Sequence, residues 1–260
     1  MEALNELLCL KIGGSVITDK TQPYTANLNT IRKIATSLKK IKIPLIIAHG
    51  SGSFGHTSAQ KYGGKNGYKS MWGIAKVARD AEEINRIVMD IFIQEKLPVV
   101  SFSPRSFLIA KKGKMQKSFL NPLIEALNQG LIPIIYGDVI WDSSQKTTIF
   151  SGETILNIIC RDLKKNDTHI TKVIQLCDVD GVLDSNKKII PLITKDNWQE
   201  IKAYMYKSEV ADVTGGMLHK VEDALSLAKD GIETWIINAT EQKKFSSSLD
   251  EKSMKGTIVR

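Results

Sequence analysis

The sequence predicts an α/β protein, a three-layer αβα sandwich with a mainly parallel central sheet. Two observations carry this expectation. Short apolar runs rich in β-branched residues alternate with longer segments of helical spacing, the pattern of repeated strand–helix units. The runs are also apolar along their length, as strands covered on both faces are. The glycine- and aspartate-containing loops after them lie where open α/β sheets place their ligands.

Taken in order, Leu7–Ile12, Ile43–Ala48, Leu97–Phe102, Ile132–Tyr136, Lys172–Cys177 and Thr234–Asn238 read as buried strands. Leu28–Lys40, Met71–Glu95, Asn121–Asn128, Glu153–Leu163 and Gly216–Asp230 read as helices between them. The long second helix carries Ile74, Val77, Ala81, Ile84, Val88, Ile91 and Phe92 at helical spacing, one apolar face. Two interruptions read as hairpins: Leu108–Phe119 around Lys112-Gly113-Lys114, and Val139–Phe150 around Asp142-Ser143-Ser144. The expected organisation is one domain over residues 1–260. A polar stretch, Lys164–Thr171, divides an N-terminal lobe (1–165) from a C-terminal lobe (166–260).

The chain has 260 residues, 42% hydrophobic and 25% charged, enough for a full core and ordinary for a soluble protein. Its apolar runs are too short to cross a bilayer, and the acidic start Met1–Glu6 is unlike a signal peptide. Cys9, Cys160 and Cys177 are odd in number and far apart, which reads as reduced thiols in a cytoplasmic protein. The net charge of +8 comes from scattered pairs such as Lys39-Lys40, Lys164-Lys165 and Lys243-Lys244. No dense basic run or aromatic-studded strand accompanies them, so no nucleic-acid partner is expected.

The chemistry sits in the loops. Lys11-Ile12-Gly13-Gly14-Ser15 closes the first strand; paired glycines let backbone approach an anion beside Lys11, and Lys20 follows in the same loop. The same glycines also suit a plain turn. His49-Gly50-Ser51-Gly52-Ser53-Phe54-Gly55-His56 reads as an anion nest backed by a helix N-terminus, with His56 placed to donate to a phosphate. It is not a Walker loop, because no Gly-Lys-Ser/Thr ends it. Ser151-Gly152-Glu153-Thr154 opens a helix, Ser151 as its cap and Glu153 either as a first-turn acid or as an orienter of the lysines. Asp178-Val179-Asp180-Gly181 follows a strand and suits ribose, Mg²⁺ or a turn. Asp212-Val213-Thr214-Gly215-Gly216 is expected to form a second cradle at the N-terminus of a helix carrying Lys220. Two phosphate cradles and the lysines 11, 20 and 220 suit phosphoryl transfer, which needs positioning and charge neutralisation more than covalent help.

In this order, Lys11–Ser15, the glycine loop, Asp178–Gly181 and Asp212–Gly216 resemble the amino-acid kinase superfamily over nearly the whole chain. Lys-Ile-Gly-Gly-Ser-Val-Ile-Thr-Asp-Lys (11–20), the Gly-His ending at His56, Tyr-Gly-Asp (136–138) and Asp-Val-Thr-Gly-Gly-Met (212–217) are similar to the isopentenyl phosphate kinases. The resemblance implies the amino-acid kinase fold, a homodimer, and transfer of the ATP γ-phosphate to isopentenyl phosphate with Mg²⁺ and no protein-held metal. It implies that His56, with Ser51, Gly52, Gly55, Gly152 and Glu153, binds the acceptor phosphate. Lys11 and Lys20 would stabilise the transferring group. Lys11, Gly13, Gly14, Ser15, Gly52, Asp178, Asp180, Gly181, Gly215, Gly216 and Lys220 would serve the nucleotide, and Ile74, Val77, Ile149 and Phe150 the prenyl tail. The chain departs from the family at two places. A glycine triplet reads Gly50-Ser51-Gly52, which strains Ser51 if that position needs positive φ, and a paired aspartate reads Glu153-Thr154. A kinase for another phosphate or phosphonate, such as fosfomycin, and a non-catalytic oxyanion-binding protein are the alternatives.

Overall fold

The computed structural model describes residues 6–64, 67–68, 70–207, 211–239 and 255–260. Lys243-Lys244 and most of the acidic N-terminus lie outside them. The first half of the chain runs β1 (Leu7–Ile12), a single turn α1 (Gly14–Ile17), α2 (Leu28–Leu38), β2 (Leu45–His49), α3 (Gly52–Tyr62), a minimal pair β3 (Gly63–Gly64) and β4 (Gly67–Tyr68), then α4 (Met71–Gln94) and β5 (Val99–Ser101). After it come β6 (Leu108–Lys111), β7 (Lys114–Ser118), α5 (Asn121–Asn128), β8 (Ile132–Tyr136), β9 (Asp138–Asp142), β10 (Lys146–Phe150) and α6 (Gly152–Lys165). The second half is β11 (Ile170–Cys177), β12 (Leu192–Ile193), α7 (Trp198–Lys207), α8 (Ala211–Ala228), β13 (Thr234–Asn238) and β14 (Gly256–Val259).

The central sheet has eight strands in the order β12-β14-β13-β11-β1-β2-β8-β5. From β5 through β13 every pairing is parallel, and β14 turns antiparallel against β13. Early strands run out from β1 on one side and late strands on the other, so the order reverses between β1 and β11. Such a reversal opens a crevice at the carboxyl ends of the strands.

Side-chain alternation distributes the core. Leu8, Leu10 and Ile12 of β1 pack with Ile31 and Ile34 of α2 and Ile84, Val88 and Phe92 of α4. Leu7 and Cys9 face the opposite layer, against Leu123 of α5 and Ile155, Ile159 and Leu163 of α6. A further cluster joins Val221 and Ala224 of α8 to Trp198 and Ile201 of α7 under Ile236 and Val259. The two expected hairpins form and meet through a parallel β6–β9 contact, making a separate four-stranded sheet β10-β9-β6-β7.

Among the boundaries that differ from expectation, β5 is trimmed to Val99–Ser101, β11 starts earlier at Ile170, and two others have a plain physical cause. The last helix begins at Ala211 rather than Gly216, which places Gly215 and Gly216 in its second turn. Amides there belong to the helical ladder, so the pair is not a helix-start nest. The second strand begins after Pro44, which has no N–H for the ladder and gives its carbonyl to Leu8.

Candidate active site

Lys11 continues the odd-numbered face of β1 and therefore points at α6 rather than at α4. Its cross-strand neighbour in β11 is Gln175, on the same face. Both meet Glu153 in the first turn of α6. Lys11 Nζ lies 3.2 Å from Glu153 Oε2, and Gln175 Nε2 donates to Glu153 Oε1 at 3.0 Å. The ion pair is buried on both sides. Burial, the strongest influence, works to lower the Lys11 pKa, but the charge and hydrogen bond of Glu153, with Cys177 and Asp178 behind it, together outweigh it and hold the ammonium above its ordinary value. Ser151 caps α6 by accepting from Thr154 N at 3.0 Å, which fixes the turn carrying Glu153.

Three glycine loops converge above Lys11. A Cβ on Gly14 would stand 2.8 Å from Gly52 N, and one on Gly50 would stand 2.9 Å from Gly14 N. The loops after β1 and β2 thus touch backbone to backbone, which only glycines permit. Thr18 ties them together, donating to Gly14 O at 2.7 Å while its Oγ1 accepts from Ser53 N at 3.0 Å. Gly152 closes against the His49 carbonyl, which also accepts from Gly137 N at 3.0 Å. Positive φ falls on Gly52 (+48°), whereas Ser51 has φ −81° and is unstrained. The serine in the family's glycine triplet is therefore accommodated. The eleven-residue helix α3 starts at Gly52, and no protein acceptor among the described residues takes the Ser51 or Gly52 amide.

These loops form the floor of a cleft of about 1220 Å³, large enough for more than one small ligand. Lys11, Gly13, Gly14, Ser15, Lys20, Ser51, Gly52, Gly55, His56, Gly152 and Glu153 all line it. His56 sits one turn into α3, exposed. Val77, Ile149 and Phe150 supply an apolar wall. From the second half of the chain, Gly216, His219, Lys220 and Asp223 line the cleft from one stripe of α8. A Cβ on Gly216 would meet nothing within 4 Å, so this glycine leaves open space against a ligand rather than donating amides to it.

Other expected site residues stand apart. Asp178 does not line the cleft but reaches Lys20 at its mouth, 3.4 Å away. Burial works to raise the Asp178 pKa, and the Lys20 charge with local hydrogen bonds brings it below the ordinary value. Asp180 binds Asn238 Nδ2 at 2.8 Å and Lys255 Nζ at 3.2 Å, and Gly181 packs against Thr257, all outside the cleft. Ile74 lies in a small core with Val77, Ala78 and Val139, behind the wall rather than on it. Gly215 is described only as part of α8.

Several residues at the site carried no signal that we read from sequence. Thr18 and Gln175 act through partners distant in the chain. Asp223 follows Lys220 by three positions on one helix face, a spacing that could have found it. Burial, reinforced by Glu153, raises its carboxyl pKa. Asp138, quoted only within a motif, is buried and held by Arg105, which also binds Glu82.

A buried lysine, the exposed Lys20, the half-buried Lys220 and free backbone amides around one cleft define a small-molecule phosphotransferase rather than a hydrolase with its own nucleophile. Comparison with known proteins agrees. The profile of the amino acid kinase family matches residues 6–238. The chain is 34% identical over 233 residues to the isopentenyl phosphate kinase of Methanocaldococcus jannaschii, covering 83% of this chain and 85% of the relative. It is 30% identical to that of Methanothermobacter thermautotrophicus over 97% of this chain and 98% of the relative. A solved isopentenyl phosphate kinase superposes with a TM-score of 0.80 at 27% identity, over 97% of this chain and 99% of that one. The chain belongs to the amino acid kinase family, on its isopentenyl phosphate kinase branch.

Proposed function

We propose that this chain transfers the γ-phosphoryl group of ATP to isopentenyl phosphate, giving isopentenyl diphosphate and ADP. The observation that carries the reading is the pairing, in one cleft, of His56 and the unclaimed amides of Ser51 and Gly52 with the apolar wall of Val77, Ile149 and Phe150. Such a site takes a phosphate at one end and a short hydrocarbon at the other. Burying a five-carbon tail contributes roughly 3–4 kcal/mol at about 0.8 per methylene.

An oxygen of the acceptor phosphate forms the new P–O bond as the bond from the γ-phosphorus to the β-bridging oxygen breaks. Both partners are anionic, so cations and oriented amides carry the catalysis. Lys11, kept protonated by Glu153, and Lys20 neutralise the transferring group; Ser51, Gly52, Gly152 and His56 hold the acceptor, whereas the Gly55 amide, expected there too, donates to Ser51 O at 3.3 Å at the start of α3. On this reading residues 1–165 form the acceptor lobe and 166–260 the nucleotide lobe, with Gly216 and Lys220 of α8 on the nucleotide. Asp180 and Gly181 then shape the β11 loop rather than touch ligand. Mg²⁺ fits a site of this kind, because it needs one or two carboxylates together with the phosphates, and Asp223 is available on the cleft. The ion would supply further charge neutralisation to the phosphates.

The reading extends to a cytoplasmic homodimer. Three free buried thiols suit a reducing compartment. Ile109 and Trp141 are exposed neighbours across β6 and β9 and leave an apolar face for a second copy. Among the described residues no helix is long and apolar enough to cross a membrane.

The test is a coupled ADP-release assay with isopentenyl phosphate, dimethylallyl phosphate, fosfomycin and acetylglutamate as acceptors. Isopentenyl phosphate should give by far the highest kcat/KM. A clear preference for a non-prenyl acceptor overturns the assignment.

A further inference from the structure

His49 has no part in the chemistry above, yet it is completely buried directly behind the acceptor loop. It ends β2 on the face turned to α4, with its ring stacked on Tyr136 at 5.9 Å and 22°. Its Nε2 lies 3.1 Å from Asn85 Oδ1, and Asn85 Nδ2 lies 2.7 Å from Ser101 Oγ. Its Nδ1 lies 3.0 Å from the carbonyl oxygen of its own neighbour, Gly50. That last contact requires the ring proton on Nδ1. Burial favours the neutral ring. Nε2 is then an acceptor, and a half-turn of the Asn85 amide, which now faces the ring with Oδ1, would bring its NH₂ to Nε2 and its oxygen to the Ser101 hydroxyl.

A trans peptide unit points its C=O and its N–H in opposite directions. Gly50 C=O is drawn back toward the buried ring, so the N–H of the same unit, that of Ser51, is directed forward into the cleft. Glycine at position 50 would otherwise let this peptide rotate freely. A rotated peptide would show a carbonyl oxygen to the acceptor phosphate, replacing attraction by repulsion. His49 also sets the neighbouring backbone, since its own carbonyl accepts from Gly137 and packs against Gly152.

We propose that His49 is a positioning residue, whose ring locks the Gly50–Ser51 peptide with its N–H aimed at the acceptor phosphate. This rests on the acceptor-site reading of the preceding subsection. The lock acts on the acceptor alone, because the α8 side of the cleft shares none of these bonds.

The experiment compares His49→Leu, which removes the donor, with His49→Asn, whose side-chain amide can donate from near the place of Nδ1. For the leucine variant, kcat/KM toward isopentenyl phosphate should fall roughly 100-fold, with the KM for ATP unchanged. The asparagine variant should recover to within about tenfold of the parent. If His49→Leu does not fold, Asn85→Ala takes its place, leaving the ring but loosening it, with an expected loss of roughly tenfold. The lock is refuted if the leucine variant stays within about threefold of the parent. It is equally refuted if both substitutions lose acceptor and ATP parameters in parallel with Tm, which is the mark of a merely structural residue. Should the parent prefer another acceptor in the ADP-release panel, the substrate assignment fails, and the same variants assayed with that acceptor still decide the role of His49.

Discussion

Replacing Glu153 by Gln is the most informative single perturbation of the site. The amide oxygen can keep the bond from Gln175, now 3.0 Å, while the charge opposite Lys11 at 3.2 Å disappears. Removing one member of a buried pair costs about 3–5 kcal/mol when the survivor stays charged. Lys11 can instead shed its proton. Bringing a lysine of ordinary pKa about 10.4 to neutrality takes about 4.6 kcal/mol at about 1.36 per pH unit. The two costs are comparable, so in the variant Lys11 should titrate within the working pH range. In the parent the lysine pKa is raised, and its contribution to stability is lost only as pH rises above the ordinary lysine range. In the variant the pKa is depressed, so the destabilisation is greatest at low pH and relaxes as pH rises through the new value. At neutral pH, Tm should fall by roughly 6–20 °C, taking about 2–4 °C per kcal/mol. Thermal melts and kcat should be followed from about pH 6 to 9. The Tm gap should narrow with pH while kcat declines over the same range, and the parent should show neither trend. A variant with parental Tm and a parental pH profile refutes the idea that Glu153 sustains the Lys11 charge.

The remaining expectations separate chemistry from stability. His56→Ala should lose roughly 100- to 1,000-fold in kcat/KM with Tm nearly unchanged, because the ring is exposed; near-parental turnover removes it from the mechanism. Lys20→Met should behave similarly, since its 3.4 Å pair with Asp178 is solvent-exposed and stabilises little; steady-state kinetics beside a melt decide it. Gly152→Ala should do both kinds of damage. The added methyl collides with the His49 carbonyl and parts α6 from β2, so Tm should drop by several degrees and activity with it.

Much of the architecture was readable from periodicity. The spans of β1, β8 and β13 coincide with those the apolar runs imply, because strands buried on both faces have sharp compositional edges. Short or locally unpatterned elements escaped. The four residues of β14 and two of β12 gain their strand character only from pairing with β13 and with each other. Helix α7 buries little more than Trp198 and Ile201 among its described side chains, too few for a visible stripe. At the site, the residue types of the first two loops carried the chemistry, but contacts did not follow from them. Glycine declares conformational freedom without naming the neighbour that needs it, so the meeting of Gly14 with Gly52 was invisible. The same holds for the Gly215–Gly216 pair, whose composition suggests a helix start and whose place is inside a helix.

The backbone-to-backbone seams at Gly14–Gly52 and at Gly152–His49 join segments far apart in the chain. Neither seam exists until β1, β2 and α6 have docked, and contacts of such long sequence separation are slow to form. Phosphate affinity is therefore a property of the finished molecule and of no fragment of it. During refolding, recovery of acceptor binding should trail the return of helical circular dichroism. The interval between them times the closing of the two seams.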